Sequence, residues 1–569
     1  MSIQNNLIKI IQGLLGAKVT SRAELINIKR KISNRLKMPP PLNSNLLKTY
    51  RRLLQAKKIR RDLNLEKQLI KREVRTLSGV AVITVLTKPY PCPGQCIYCP
   101  AESGMPKSYL ANEPAAARAK GAKFDPYAQV KIRLAALKVN GHKTDKVELI
   151  VLGGTWSFYP KTYQQWFIKR CFDALNGKTG KDLARAQHLN ETALHRCVGL
   201  TLETRPDYID ETEVSRLRQL GCTRVELGVQ TIYDPILKLN KRGQTVNQTI
   251  KATRLLKMAG FKVTYHIMPN LPGSSIKKDL RLFKDLFSRP DFQPDQVKIY
   301  PTVVTKNSVL YRWYRQGKFK PYSDAELKKL LIKIKCLIPP YVRIARLIRD
   351  IPADSIVAGN KITNLRQIMA QDMVKAGLKC RCLRCREAGH QTINSKSKIQ
   401  NSKSNLPAGR QVQNPKLKIQ KYLASGGTEY FLSFESPNQR VIYAFLRLRI
   451  NDRPEDNFIA ELKNAAIIRE LHTYGELAPL GAKGQVQHLG LGKKLLAEAE
   501  KIARGKGVNP ASLSHKTKGI KKNAPASNKN ANWRGVKKIA VISGIGVRQY
   551  YQNLGYKLEG TYMIKEVKI

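Results

Sequence analysis

A chain of 569 residues with 42% hydrophobic content is long enough for roughly two to four domains with packed cores. Lys and Arg total 103 against 41 Asp and Glu, a net charge of +62, which disfavours basic histone-like substrates and points to a polyanion, most often nucleic acid. Ten cysteines, six of them in two tight clusters, exclude a disulfide framework, and no apolar run of about 18 residues suggests a membrane span.

Met1 to Lys18 is amphipathic and lacks a small-residue cleavage pattern, so a reducing cytoplasm is the expected setting. Residues 1–75 read as basic helices broken at "MPPPLNSN". Leu53, Leu54, Ile59, Leu63, Leu65, Leu69 and Ile70 supply an apolar side there, and Arg51, Arg52, Lys57, Lys58, Arg60 and Arg61 a charged one. Such a face contacts phosphates without reading sequence.

Residues 76–345 alternate short apolar runs with helical segments, from "VAVITVL" (80–86) and "VELIVLGG" (147–154) to "QVKIYPT" (296–302) and "VRIARLIRD" (342–350). This order predicts β/α repeats on a parallel sheet. Residues 346–424 form a Cys-rich joint, and 391–420 within it have no acidic residue, which predicts a disordered insertion. Residues 425–569 return to strands with one helix at "GKKLLAEAEKIARG", interrupted by a loop insertion at 505–535.

Three sites carry chemistry. Cys92, Cys96 and Cys99 form C-x3-C-x2-C in a loop after the first strand. Three thiolates can ligate three irons of a 4Fe–4S cluster and leave the fourth open; a zinc knuckle with a distant fourth ligand is the alternative. Gly153-Gly154-Thr155 ends the second strand, where backbone free of side chains can approach a ligand. Gln487 to Gly492, "QHLGLG", enters a helix whose N-terminal N–H groups suit phosphates. Tyr550 and Tyr551 start the next helix, and core packing competes with a ligand role for each. Cys380, Cys382 and Cys385 suit zinc or a structural iron site, with His390 and Cys336 as candidates for a fourth ligand.

In order, "KPYPCPGQCIYCP", "DKVELIVLGGT", "LTLETRPDYID", "RVELGVQTIYD", "LIRDIP", "CRCLRCREAGH", "IRELHTYG", "QHLGLGKKLL" and "ISGIGVRQYY" resemble the catalytic subunit 3 of Elongator in its free-standing archaeal or bacterial form. Ala101-Glu102 stands where that family has a Gly pair. The resemblance implies an α/β fold: a radical S-adenosylmethionine (SAM) partial β/α barrel, joined through a Cys-rich zinc segment to a C-terminal GNAT acetyltransferase-like domain, behind a basic tRNA-binding region.

It also implies an activity, the synthesis of 5-carboxymethyluridine at the wobble uridine of tRNA from acetyl-CoA, through a 5′-deoxyadenosyl radical. The cofactors so implied are the 4Fe–4S cluster, SAM, acetyl-CoA and zinc. The partners are the tRNA anticodon loop and a reducing electron donor, and a homodimer is compatible with the resemblance. Lys146, a solvated charge on its own residue context, matches a lysine that contacts acetyl-CoA. Glu470, Leu471, His472, Thr473, Leu491, Gly492, Lys493 and Tyr551 match acetyl-CoA contacts, Gln487 and Gly490 belong to the glycine turn that would receive its phosphates, and Glu203 and Gln230, at strand ends, are expected to face SAM. A protein lysine acetyltransferase with a structural iron–sulfur domain is the rival reading.

Overall fold

The computed structural model describes residues 3–70, 78–388, 415–474, 490–505 and 536–567. Its first four helices are α1 (Ile3–Gly16), α2 (Arg22–Arg35), α3 (Asn43–Gln55) and α4 (Leu63–Leu69). Ser21 and Glu24 close a capping box on α2, and the Asp62 carboxylate accepts from the first turn of α4. Pro39 to Pro41 separate α2 from α3, since proline cannot donate to a helix ladder. Ile10, Leu14, Leu46, Leu47, Tyr50 and Leu65 build a core that belongs to this bundle alone. Leu63 departs from its expected place: as the first residue of α4 it is 67% exposed. The bundle meets the rest of the protein at the Lys138 end of the helix Pro126–Val139, where Arg51 donates to the Lys138 carbonyl at 2.9 Å.

Seven parallel strands follow: β1 (Ala81–Leu86), β2 (Lys146–Leu152), β3 (Arg196–Thr204), β4 (Arg224–Gln230), β5 (Lys262–Ile267), β6 (Gln296–Ile299) and β7 (Arg343–Arg346). Each matches one of the apolar runs, and they lie side by side in chain order. Outward positions such as Ile83, Val85, Leu149, Val225 and Val263 pack under the helices. Barrel interiors are ordinarily filled by layers of branched apolar side chains. Here the inward positions of β2, β4, β5 and β6 carry Glu148, Arg224, Glu226, His266 and Lys298, which line a cavity instead.

The second sheet runs β13-β14-β12-β11-β10-β9-β8. Its strands are β8 (Lys416–Leu423), β9 (Gly427–Glu435), β10 (Ile442–Asn451), β11 (Ala465–Thr473), β12 (Lys538–Val541), β13 (Lys557–Glu559) and β14 (Tyr562–Glu566). All neighbours are antiparallel except β11 and β12. One correction follows. The stretch 391–420, read as a disordered insertion, joins this sheet from Lys416, because the basic side chains of β8 stay at the surface while its backbone pairs with β9 along eight residues. Residues 391–414 and most of 505–535 lie outside the described residues.

One face of this sheet lies on the barrel, contributing Phe431, Phe445, Ile467, Ile542 and Tyr562 to the barrel core. The other face packs the helix Leu491–Ala503. A buried ion network crosses the junction. Asp295 and Glu429 both accept from Arg469, at 3.0 and 2.9 Å, and Glu429 also accepts from Arg449 at 3.1 Å. Arg447 donates to Glu470 at 2.9 Å and to the Tyr341 carbonyl at 2.6 Å. Lys257 lies 3.8 Å from Asp295 and 3.6 Å from Glu429. Among the described residues, no helix is long and apolar enough to cross a membrane.

Candidate active site

The loop after β1 carries the first cysteine cluster. Cys96 Sγ accepts from Arg242 Nη1 at 3.3 Å, and Arg242 Nη2 donates to the Gly228 carbonyl at 2.7 Å at the end of β4. Burial raises the Cys96 thiol, but the guanidiniums of Arg242 and Arg205 outweigh it, and the net shift is downward. Burial pushes Cys99 the other way, up to about 12. A thiolate is the ligating form, and this setting favours it at Cys96. Arg349, from the "LIRDIP" motif, fastens the far end of the loop by donating to Ser108 Oγ and Glu113, each at 2.9 Å.

The glycine turn after β2 meets this loop directly, with Thr155 Oγ1 3.9 Å from Cys92 Sγ. Gly153 has φ +136° and its absent side chain is where Thr87 packs. Gly154, at φ +99°, has an open flank, where an added Cβ would meet nothing nearer than the Lys107 carbonyl at 3.6 Å. That is the exposed backbone a small amphoteric ligand needs. Glu203, ending β3, accepts from the Tyr109 hydroxyl at 2.9 Å. Gln230, ending β4 at φ +69°, keeps a buried side-chain oxygen with no partner among the described residues. Both line a cavity of about 780 Å³ together with Tyr98 and Cys99. An unsatisfied buried acceptor and an open glycine beside three cysteines fit a 4Fe–4S cluster with SAM.

Deeper in the same cavity lies a charged cluster that the sequence reading missed. Glu226 accepts from His266 Nε2 at 2.9 Å and from Lys298, while His266 Nδ1 lies 3.6 Å from Glu203. Burial opposes the Glu226 carboxylate, yet Lys298 and His266 hold it well below the usual range. No spacing signal exists for these residues, because each comes from a different strand.

A second cavity, about 870 Å³, opens where the mixed sheet meets the N-terminal ends of the barrel strands. Lys146, Glu470 to Thr473, Gly490, Gly492, Lys493, Tyr550 and Tyr551 all line it. Strand β12 pairs with β11 only as far as Ile468, so the backbone from Arg469 to Thr473 presents an edge that β12 does not cover. Opposite stands the N-terminus of the helix Leu491–Ala503, uncapped by any side chain among the described residues and entered through Gly490 at φ +70°. An uncovered strand edge and a free helix N-terminus suit an amide-bearing arm with phosphates.

Not every expected residue turns its side chain to this cavity. Leu491 is buried in the core beneath the helix, and Tyr551 is 6% exposed, packed edge-on against Tyr550 at 5.2 Å. His472 is tied to the Ser78 carbonyl at 2.8 Å, and burial lowers its pKa. Glu470 is engaged by Arg447 and, at 3.8 Å, by Lys262. Burial likewise lowers the Lys146 ammonium. Gln487 lies outside the described residues.

The two cavities meet along the strands. On β1, or just before it, successive inward positions are Val80, lining only the second cavity, Val82, lining both, and Thr84, lining only the first. On β2 the series is Lys146, Glu148 and Ile150 in the same order. Arg224, Gln296, Arg343 and Arg346 also line both.

At the joint, the sulfurs of Cys380, Cys382 and Cys385 lie within 4.8 Å of one another. Hydrogen bonds from the other two thiols hold Cys382 well below its ordinary pKa. Such a set fits one metal ion. Cys336 is exposed and outside this group, so it does not complete the set in this structure, because its helix, Asp324–Leu337, turns it to solvent. His390 lies outside the described residues.

Comparison with known proteins agrees with this architecture. The radical SAM superfamily profile matches residues 90–286, and the radical SAM C-terminal domain profile matches 294–375. The chain is 46% identical over 509 residues to the tRNA uridine(34) acetyltransferase of Methanocaldococcus infernus, covering 88% of each chain. It is 38% identical to the human Elongator complex protein 3, covering 87% of this chain and 85% of that protein. A solved structure of archaeal Methanocaldococcus infernus Elp3 with an N-terminal deletion (1–46) is 43% identical, with a TM-score of 0.70, covering 86% of this chain and 100% of that one. The profile matches imply a 4Fe–4S cluster and SAM. The chain therefore belongs to the Elongator complex protein 3 family and is a radical SAM enzyme.

Proposed function

We propose that this chain synthesises 5-carboxymethyluridine at the wobble position of tRNA, taking the two added carbons from acetyl-CoA. The observation that carries the reading is the contiguity of the two cavities, with Val82, Glu148 and Arg224 lining both. A cavity suited to acetyl-CoA then opens toward the chamber beside the cysteine loop. Relatives named tRNA uridine(34) acetyltransferase supply the substrate class.

In this reading Cys92, Cys96 and Cys99 hold the cluster, and Gly154, Glu203 and Gln230 receive SAM. Cluster and SAM together supply a carbon radical from one electron, delivered by an external donor. Lys146, the edge of β11 and the Gly490 turn hold acetyl-CoA, and Tyr550, half-buried at the cavity, orients its acyl end. The bundle of α1 to α4, with Arg118 and Arg133 at the first cavity, contacts tRNA phosphates. Zinc at Cys380, Cys382 and Cys385 fixes the joint between barrel and acetyltransferase-like sheet.

The test is anaerobic turnover of the reconstituted protein with dithionite, SAM, acetyl-CoA and total tRNA, with nucleosides read by mass spectrometry. Carboxymethyluridine is expected. Acetylated protein lysines with neither 5′-deoxyadenosine nor modified uridine would replace this reading with the lysine acetyltransferase.

A further inference from the structure

An ion pair sits at the boundary between the two cavities. Glu148 Oε1 on β2 and Arg224 Nη1 on β4 are 2.5 Å apart, and their side chains are 21% and 9% exposed. These strands are not neighbours, since β3 runs between them. The residue of β3 in register with Glu148 is Gly199, so nothing stands between the carboxylate and its partner. Gly199 itself lines the second cavity, and a Cβ there would meet Thr223 Oγ1 at 3.5 Å and Glu148 Cγ at 4.0 Å, both ordinary contacts. The missing side chain is therefore not demanded by tight packing. A Cβ fits beside the pair, whereas a longer side chain at this position would reach into the passage.

The pair's surroundings are charged on both sides. Glu226 lies two residues beyond Arg224 on the same strand, and Glu470, on the acetyltransferase-like sheet, also attracts the guanidinium. Arg224 thus sits in the field of three carboxylates, one in the passage, one in the first cavity that is shared with His266 and Lys298, and one in the second that is shared with Arg447 and Lys262. A cation with alternative partners can change partner without losing charge compensation. We propose that Glu148 and Arg224 form a gate on the acyl group's route from the second cavity into the first, swinging open as Arg224 exchanges Glu148 for Glu226 or Glu470. A closed gate keeps water and the CoA thiol out of the radical chamber until the acyl end arrives. As a gate for acetyl-CoA it rests on the proposed function, but the passage itself can be tested apart from turnover.

Val80, Val82 and Thr84 supply a ruler, two residues or about 7 Å per step along one strand. Cysteine is placed at one end of the ruler (Val80→Cys) or the other (Thr84→Cys) in the cluster-loaded protein, and the methyl disulfide of CoA is added anaerobically. The cysteine thiolate attacks the CoA sulfur, forming a protein–CoA disulfide and releasing methanethiolate, and peptide masses locate the adduct. In the Val80→Cys protein the label should appear in every background, as the control that the reagent reaches the second cavity, with unchanged melting reporting the fold. In the Thr84→Cys protein labelling should be slow, about tenfold faster with Glu148→Ala or Glu148→Gln, and abolished by Gly199→Leu, which fills the passage. Equal labelling of Thr84→Cys in all these backgrounds overturns the gate.

A second readout uses methyl-deuterated acetyl-CoA and follows deuterium into 5′-deoxyadenosine. Gly199→Leu should keep acetyl-CoA binding by calorimetry and lose deuterium transfer. Gated labelling with no deuterium transfer even in the unsubstituted protein would leave the gate standing and overturn the proposed function instead.

Discussion

The two ends of the barrel are both rich in buried charge and use it in opposite ways. At the end that faces the mixed sheet, Asp295, Glu429 and Glu470 are matched against Arg447, Arg449, Arg469 and Lys257. At the end that carries the cysteine loop, the Gln230 side-chain oxygen and Arg205 Nη1 are buried without hydrogen-bond partners among the described residues, beside the open backbone of Gly154. At the sheet end the orphan atoms Lys257 Nζ, Arg447 Nη1 and Arg469 Nε belong instead to cations held by carboxylates. Mutually paired charge makes an interface, whereas unpaired polar atoms beside open backbone mark where a ligand completes the structure. Changes at the cysteine end should therefore alter chemistry with little effect on stability, and changes at the sheet end should do the reverse.

The largest effect expected is from Cys96→Ala. It removes the thiol that Arg242 favours as thiolate, so iron content should fall and both 5′-deoxyadenosine and modified uridine should disappear, while the cluster-free protein melts as before. Unfolding of this variant would erase the contrast. At the other end, Arg469→Met leaves Asp295 and Glu429 facing each other with less compensation, and should cost about 3–5 kcal/mol in denaturant titration.

A finer contrast comes from Gln230→Leu. Losing an acceptor that awaits a ligand should weaken SAM binding by about 1–3 kcal/mol, roughly 5- to 150-fold, with no loss of stability. Unchanged affinity would remove Gln230 from the SAM site.

Lys257→Met should show an effect whose size depends on pH. Burial, which Asp295 and Glu429 only partly offset, lowers Lys257 from 10.5 to about 8 in the folded state. Between pH 8 and 10.5 the unfolded chain then binds more protons at this site, so the lysine's contribution to stability rises with pH across that window. The difference between wild type and Lys257→Met should move in favour of wild type from pH 8 upward, and a flat difference would mean that the lysine is not held neutral.

Much of this was legible in the residues. Short apolar runs between helical segments located all seven barrel strands, and C-x3-C-x2-C located the cysteine loop, because both signals are local. What was hidden depends on distant partners. No local pattern marks Arg469, Arg449 and Lys257 as core residues, and only the docking of the mixed sheet on the barrel makes them so. The His266–Glu226 pair joins residues 40 apart, with no motif to announce it. Strand β8 was missed for a related reason: an edge strand with three lysines has the composition of a linker, and its order comes from the pairing with β9. Cys336 was placed by residue type alone, which carries no direction in space.

The ion network also has a history within each molecule's synthesis. Asp295 leaves the ribosome 174 residues before Arg469, a delay of roughly 10–35 s at ordinary elongation rates. Over that interval the nascent barrel can form its sequential strands while Asp295 and Lys257 still lack most of their compensation. A newborn barrel therefore stays incomplete, exposed at one end to chaperones and proteases, until the last quarter of the chain arrives to cover it.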